Sequence, residues 1–108
     1  MAKPDSLQGS LDLLVLKILS RRPRLHGYAI MSAIKDSSGD VLRADEGSLY
    51  PALHRLENEG LLAAEWTVAE TGRRAKVYWL TPQGRRACDR EERGWLAFVA
   101  AVTQVLAT

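Results

Sequence analysis

The sequence has little of the residue types that carry covalent or metal chemistry. Among its 108 residues there is one cysteine, Cys88, and there are two histidines, His26 and His54. One cysteine closes no intrachain disulfide and gives no cluster for a structural zinc site. Neither histidine has a cysteine or carboxylate at ligand spacing, so no metal site is expected. No Ser–His–Asp set, carboxylate pair or glycine-rich phosphate loop stands out either. An enzyme is therefore not expected, nor a resident cofactor. Cys88 sits beside Asp89 among basic residues. That setting suits either a thiol of lowered pKa or an inert helical cysteine.

Long apolar runs are also missing. The longest, residues 95–102, is far short of the roughly 20 residues that cross a bilayer. Residues 1–10 lack the apolar core of a signal peptide. The expectation is a soluble protein of the reducing cytoplasm, with no membrane partner. Charge of one sign does not dominate: 15 Lys and Arg against 13 Asp and Glu leave a net +2. With so small a sum, the location of the charge matters more than its total. What is present is an ordinary apolar share, 46%, which rules out wholesale disorder in a length suited to one domain. A chain this short leaves much of its surface wet, so a second surface such as a dimer interface would help it.

Residues 1–9 read as a flexible lead. Ser10 is a good N-cap with Asp12 in the first turn. Leu11, Leu14, Val15, Ile18 and Leu19 then recur at helical spacing, one buried face. Leu13 and Leu16 add a second apolar side, and Pro23 stops the helix. A second helix fits residues 27–37, with Ile30, Ala33 and Ile34 inward and Gly39 just past its end. After a short extended piece at 41–44, a third helix fits 46–59, closed by Gly60. Pro51 is comfortable only in a first turn. Either Ser48 caps a later start, or an extra turn precedes it. Residues 61–68 and 76–80 are rich in β-formers around a Thr71–Gly72 turn, a hairpin with a basic tip. Thr81 and Pro82 open a last helix that runs to about Leu106, roughly 37 Å at 1.5 Å per residue. The order predicts a mainly α chain with a small β-hairpin, the winged helix-turn-helix plan plus a long C-terminal helix.

The third helix splits into two faces. Leu49, Ala52, Leu53, Leu56 and Gly60 fall on one. Gly47, Ser48, Pro51, His54, Arg55 and Asn58 fall on the other, with Tyr50 at the border. A recognition helix needs this division, an apolar side to seat it and hydrogen-bonding residues toward the major groove. An ordinary amphipathic surface helix shows it too. Between Thr71 and Arg90 six basic residues face one acid, a local balance of +5. Arg73, Arg74 and Lys76 lie on and beside the turn, as in a wing that touches phosphates or enters the minor groove, or as in a solvated charge run. The last helix is apolar nearly all round from Trp95 onward, with Trp95, Phe98, Val99, Val102 and Leu106 as its stripe. Such a helix must be buried, either in a two-fold dimer or back on its own domain against Leu13 and Leu16.

The segments LHGYAI (residues 25–30), EGSLYPALHRLENEGLL (46–62) and GRRAKVYWLTPQGR (72–85), with Trp95 in the last helix, resemble the PadR family of bacterial transcription regulators. The resemblance spans residues 9–106, and the single helix after the wing resembles the family's small subgroup. It implies a homodimeric winged helix-turn-helix regulator, in most members a repressor, of palindromic operator DNA, paired through the C-terminal helix and the partner's N-terminal helix. It places Tyr28, Ser48 and Tyr50 at or near the DNA. In small members a tryptophan from each last helix forms a flat slot for planar aromatic ligands, and Trp95 matches that position. Other members sense phenolic acids or have no known ligand.

The combined expectation divides the chain into a lead (1–9), a DNA-binding domain (10–81) and a dimerisation helix (82–108). Ser48, Pro51, His54, Arg55 and Asn58 enter the major groove. Tyr28, Tyr50, Arg73, Arg74 and Lys76 hold phosphates or the minor groove. Leu13, Leu16, Trp95, Phe98, Val99, Val102 and Leu106 form the dimer seam, with Trp95 on a planar effector. The rival from another class is a winged-helix docking module without DNA function.

Overall fold

The computed structural model describes residues 7–108. Helices α1 (Leu7–Arg21), α2 (Gly27–Ser37), α3 (Glu46–Asn58) and α4 (Pro82–Leu106) carry strands β1 (Leu25–His26), β2 (Leu62–Val68) and β3 (Arg74–Leu80). The strands form one antiparallel sheet in the order β1-β3-β2. Helices α1, α2 and α3 pack on one another and on the base of the sheet. β2 and β3 project beyond that base as a wing.

The core follows the apolar spacing. Leu11, Val15 and Leu19 of α1, Ile30 and Ile34 of α2, and Leu49, Leu53 and Leu56 of α3 are all buried. Alternation along the sheet extends this core. In the β2–β3 register Leu62 faces Leu80, Ala64 faces Tyr78, Trp66 faces Lys76 and Val68 faces Arg74. These pairs lie on one face, because side chains alternate with period two. Leu62, Tyr78 and Leu80 are buried at its base, whereas Trp66, Val68 and Arg74 are exposed further out.

Several boundaries differ from the sequence reading. Ser10, expected as a cap, lies inside α1, which begins at Leu7. The helix therefore starts one turn before the serine signal. Residues 1–6 of the expected lead lie outside the described residues. Leu16 is 1% exposed. It belongs to the protomer's own core, because the start of α4 lies against α1, so it is not a seam residue. β1 adds a third strand to the expected hairpin. A two-residue strand is too short to show alternation.

α4 is continuous through Gly84 and Gly94 over 25 residues. Its start is fixed by Thr81, whose hydroxyl accepts from the Gly84 amide (3.0 Å) and donates to the Gly60 carbonyl (2.7 Å). A Cβ on Gly84 would come within 2.1 Å of the Leu61 carbonyl oxygen, so only glycine allows this approach. Gly84, Ala87 and Cys88 are buried against the domain, and Lys17 of α1 pairs with Glu92 at 2.9 Å. Beyond Glu92 the helix extends past the domain, which stretches the molecule to 57 Å in a body otherwise 29 by 22 Å. None of the helices of residues 7–108 is long and apolar enough to cross a membrane.

Candidate nucleic-acid interface

α3 is held at its start by Asp45, whose side chain accepts from the Ser48 amide at 2.8 Å. Ser48 is thus within the first turn and is not the cap. Of the two starts open to Pro51, the structure takes the extra turn. Pro51 sits in the helix interior, where it cannot pair with the carbonyl of Gly47 one turn back. Gly47 is exposed, so water can take that carbonyl. Leu49, Ala52, Leu53 and Leu56 seat the helix, and Tyr50, Pro51, His54 and Asn58 face outward.

An open cleft of about 730 Å³ lies between α3, the start of α2 and the wing. Tyr28, Tyr50, His54, Trp66, Arg74, Lys76 and Tyr78 line it, with His26, Gly27 and Ala29 at the first turn of α2. No side chain caps that turn, so its amides carry the positive end of the helix dipole to the cleft wall. None of the lining residues is a carboxylate. Gly27 lets the hydroxyl end of the Tyr50 ring come close to the backbone, since a Cβ there would come within 2.7 Å of the ring. Among the described residues the cleft therefore joins aromatic walls, cationic side chains and free backbone donors, a combination suited to an anionic strand.

The structure separates the expected cations. Arg73 is exposed at the tip, beside Gly72 with its left-handed φ of 85°. Arg74 lays its guanidinium 4.8 Å from the centre of the Trp66 ring. Lys76 is bound to Glu57 of α3 at 2.9 Å. That hydrogen bond pushes its amine above the ordinary range. Arg55 pairs with Asp12 of α1 at 2.5 Å and does not line the cleft. Asn58 is exposed near the end of α3, outside the cleft. Sequence reasoning missed Trp66, Gly27, Asp12 and Glu57. The β2–β3 register was the signal for Trp66. The two carboxylates act across elements and leave no local pattern.

Far from the cleft, Trp95 and Phe98 form a tilted ring pair with centres 5.8 Å apart. Trp95, Leu96, Val99, Val102, Val105 and Leu106 are exposed, from 36% to 78%. The chain's own domain does not cover them. Leu13 is half-buried on α1. Cys88 is buried, and burial pushes its thiol up, so the reading of a lowered thiol is corrected. Among the described residues no cluster of His, Cys, Asp or Glu could hold a metal ion.

Comparison with known proteins agrees with this architecture. Residues 15–90 match the model of the "Transcriptional regulator PadR-like family". The chain is 49% identical over 51 residues to the transcriptional regulator Rv3488 of Mycobacterium tuberculosis, covering 47% of each chain. It spans less than half of that relative's length. It is 34% identical over 68 residues to the "Negative transcriptional regulator PadR" of Bacillus subtilis, over 63% of this chain and 37% of that one. The crystal structure of a PadR family transcriptional regulator from Eggerthella lenta superposes with a TM-score of 0.80 at 33% identity, over 94% of this chain and 85% of that one. Bacillus subtilis PadR, solved in complex with operator DNA, superposes with a TM-score of 0.67 at 31% identity, over 80% and 46%. Helical layers, basic wing, apolar final helix and a family match over more than half of the chain converge: this protein belongs to the PadR-like family of transcriptional regulators.

Proposed function

We propose that the protein is a repressor that binds an inverted-repeat operator as a homodimer. The carboxylate-free cleft between α3 and the wing carries this reading. Support comes from the likeness to Bacillus subtilis PadR, solved on its operator. In this reading Ser48, Pro51, His54 and Asn58 meet the major groove. Tyr28, Tyr50, Arg73 and Arg74 hold phosphates or the minor groove. Arg55 and Lys76, each tied to a carboxylate, seat α3 and the wing. Phosphate contacts set affinity and its salt dependence, and base-edge contacts set sequence preference. Two copies pair through the exposed stripe of α4, Trp95, Phe98, Val99, Val102 and Leu106, with Leu13 at its edge.

The paired Trp95 and Phe98 rings favour an added role for that seam. A planar aromatic effector between two copies of Trp95 changes DNA affinity only by binding the two states unequally.

Fluorescence anisotropy on the protein's own upstream DNA, against a scrambled duplex at several salt concentrations, tests the main reading. The expected result is binding at least about tenfold tighter to the native fragment, weakening with salt. No binding at low salt overturns it in favour of a docking module.

A further inference from the structure

Trp66 is a large aromatic side chain that the core leaves mostly exposed. It stands 56% exposed on β2, on the face that becomes the cleft wall. Its cross-strand partner is Lys76, and Arg74 lies diagonally across on the same face. The Arg74 guanidinium is 4.8 Å from its ring centre, and the Lys76 ammonium 5.9 Å. The two cations differ in one respect. Lys76 is neutralised by Glu57, whereas Arg74 pairs with no carboxylate among the described residues.

We propose that Trp66 is a positioning residue for DNA binding: it holds Arg74 across the mouth of the cleft as the wing's strand-gripping cation. The inference rests on the DNA-binding reading. A free arginine at the start of a wing strand loses much rotamer freedom when it grips a phosphate. Held over an indole at 4.8 Å, the guanidinium has lost part of that freedom in advance. A guanidinium over a ring face can keep its N–H donors for a second partner, because those donors lie in its own plane. An indole suits this role because its face is the most attractive of the aromatic side chains to a cation.

The experiment measures operator affinity against salt for the wild type, Trp66→Ala, Trp66→Phe, Arg74→Ala and the double variant Trp66→Ala with Arg74→Ala. Trp66→Ala is expected to weaken a dimer by about tenfold, a factor of about three in each subunit. Its salt slope should flatten in the same sense as that of Arg74→Ala, where each lost phosphate contact lowers the slope by about 0.9. Trp66→Phe should restore most of the affinity. In the Arg74→Ala background the second substitution should change nothing further. A loss with an unchanged slope, or additive losses in the double variant, overturns the inference. So does a Trp66→Ala chain that binds like the wild type. If the wild type binds no duplex at low salt, the DNA reading itself falls and takes this inference with it. Thermal unfolding of each variant separates these outcomes from a failure to fold.

Discussion

Asp12 and Glu57 hold Arg55 and Lys76, two of the cations that the sequence reading assigned to DNA. The Glu57–Lys76 pair is part-buried, with side chains 30% and 27% exposed. A phosphate approaching Lys76 must therefore compete with a carboxylate already in place. Glu57→Gln keeps the shape and removes the competing charge. The expected outcome is tighter binding to every duplex, with a salt slope steeper by about 0.9 per subunit. Anisotropy titrations on native and scrambled DNA check this. An unchanged slope would mean that Lys76 never reaches a phosphate. Three groups also give a pH dependence. Glu57 raises Lys76, and burial raises Tyr78 and Cys88. In each case the folded chain holds its proton more tightly than the unfolded one. Their contribution is present below the ordinary values and is lost as pH rises through the raised ones. Tm should stay level from about pH 6 to 8 and fall above about pH 9, the thiol range being passed first. Cys88→Ala should delay the onset of the fall. A Tm that rises with pH across that range would contradict the assignment. The native thiol should resist a thiol reagent at about pH 8 and react on unfolding.

Among the elements, the helices were the legible part. The bounds of α2 and the length of α4 follow from spacing, Gly39 and the Thr81–Pro82 start, because these signals are local. β1 was not legible, since its two residues form a strand only by pairing with Tyr78 and Val77. The same reason hid most of the candidate site. The faces of α3 could be read, but the partners of Arg55 and Lys76 lie 43 and 19 residues away. Trp66 meets Arg74 only through the hairpin register. Gly84 and Gly94 weakened the reading of α4 equally, yet their surroundings differ. Gly84→Ala forces a Cβ onto the Leu61 carbonyl and should cost about 3 kcal/mol or more. A Cβ on Gly94 meets nothing within 4 Å, so Gly94→Ala should stabilise by up to about 1 kcal/mol through helix propensity. Urea unfolding of the two variants checks both signs. Equal effects would mean that α4 is not seated on Leu61.

At the scale of the molecule, the placement of α4 links folding to recognition. Its first turns are locked into the domain by Thr81, Gly84 and the Lys17–Glu92 pair. The same helix then carries Trp95, Val99 and Val102 beyond the domain on one stripe. In the proposed dimer, a second copy bound along that stripe would be held rigidly relative to α3, because one unbroken helix leads from seam to domain. The spacing of two recognition helices, and hence of two operator half-sites, would then depend on the seam. Val99→Asp places a charge in the middle of the stripe, about one and two turns from Trp95 and Leu106. It touches nothing in the cleft. Burying an unpaired carboxylate against a second copy is unfavourable enough to oppose association. Sedimentation should therefore show the wild type as a dimer and Val99→Asp as a monomer at micromolar concentration. The variant should keep its helical circular dichroism, since Val99 is 40% exposed in the single chain. Operator affinity should fall by at least about a hundredfold as two linked half-site contacts become one. Affinity for a single half-site should stay at the wild-type level. A Val99→Asp chain that remains dimeric, or that binds the full operator unweakened, would place the seam elsewhere on the molecule.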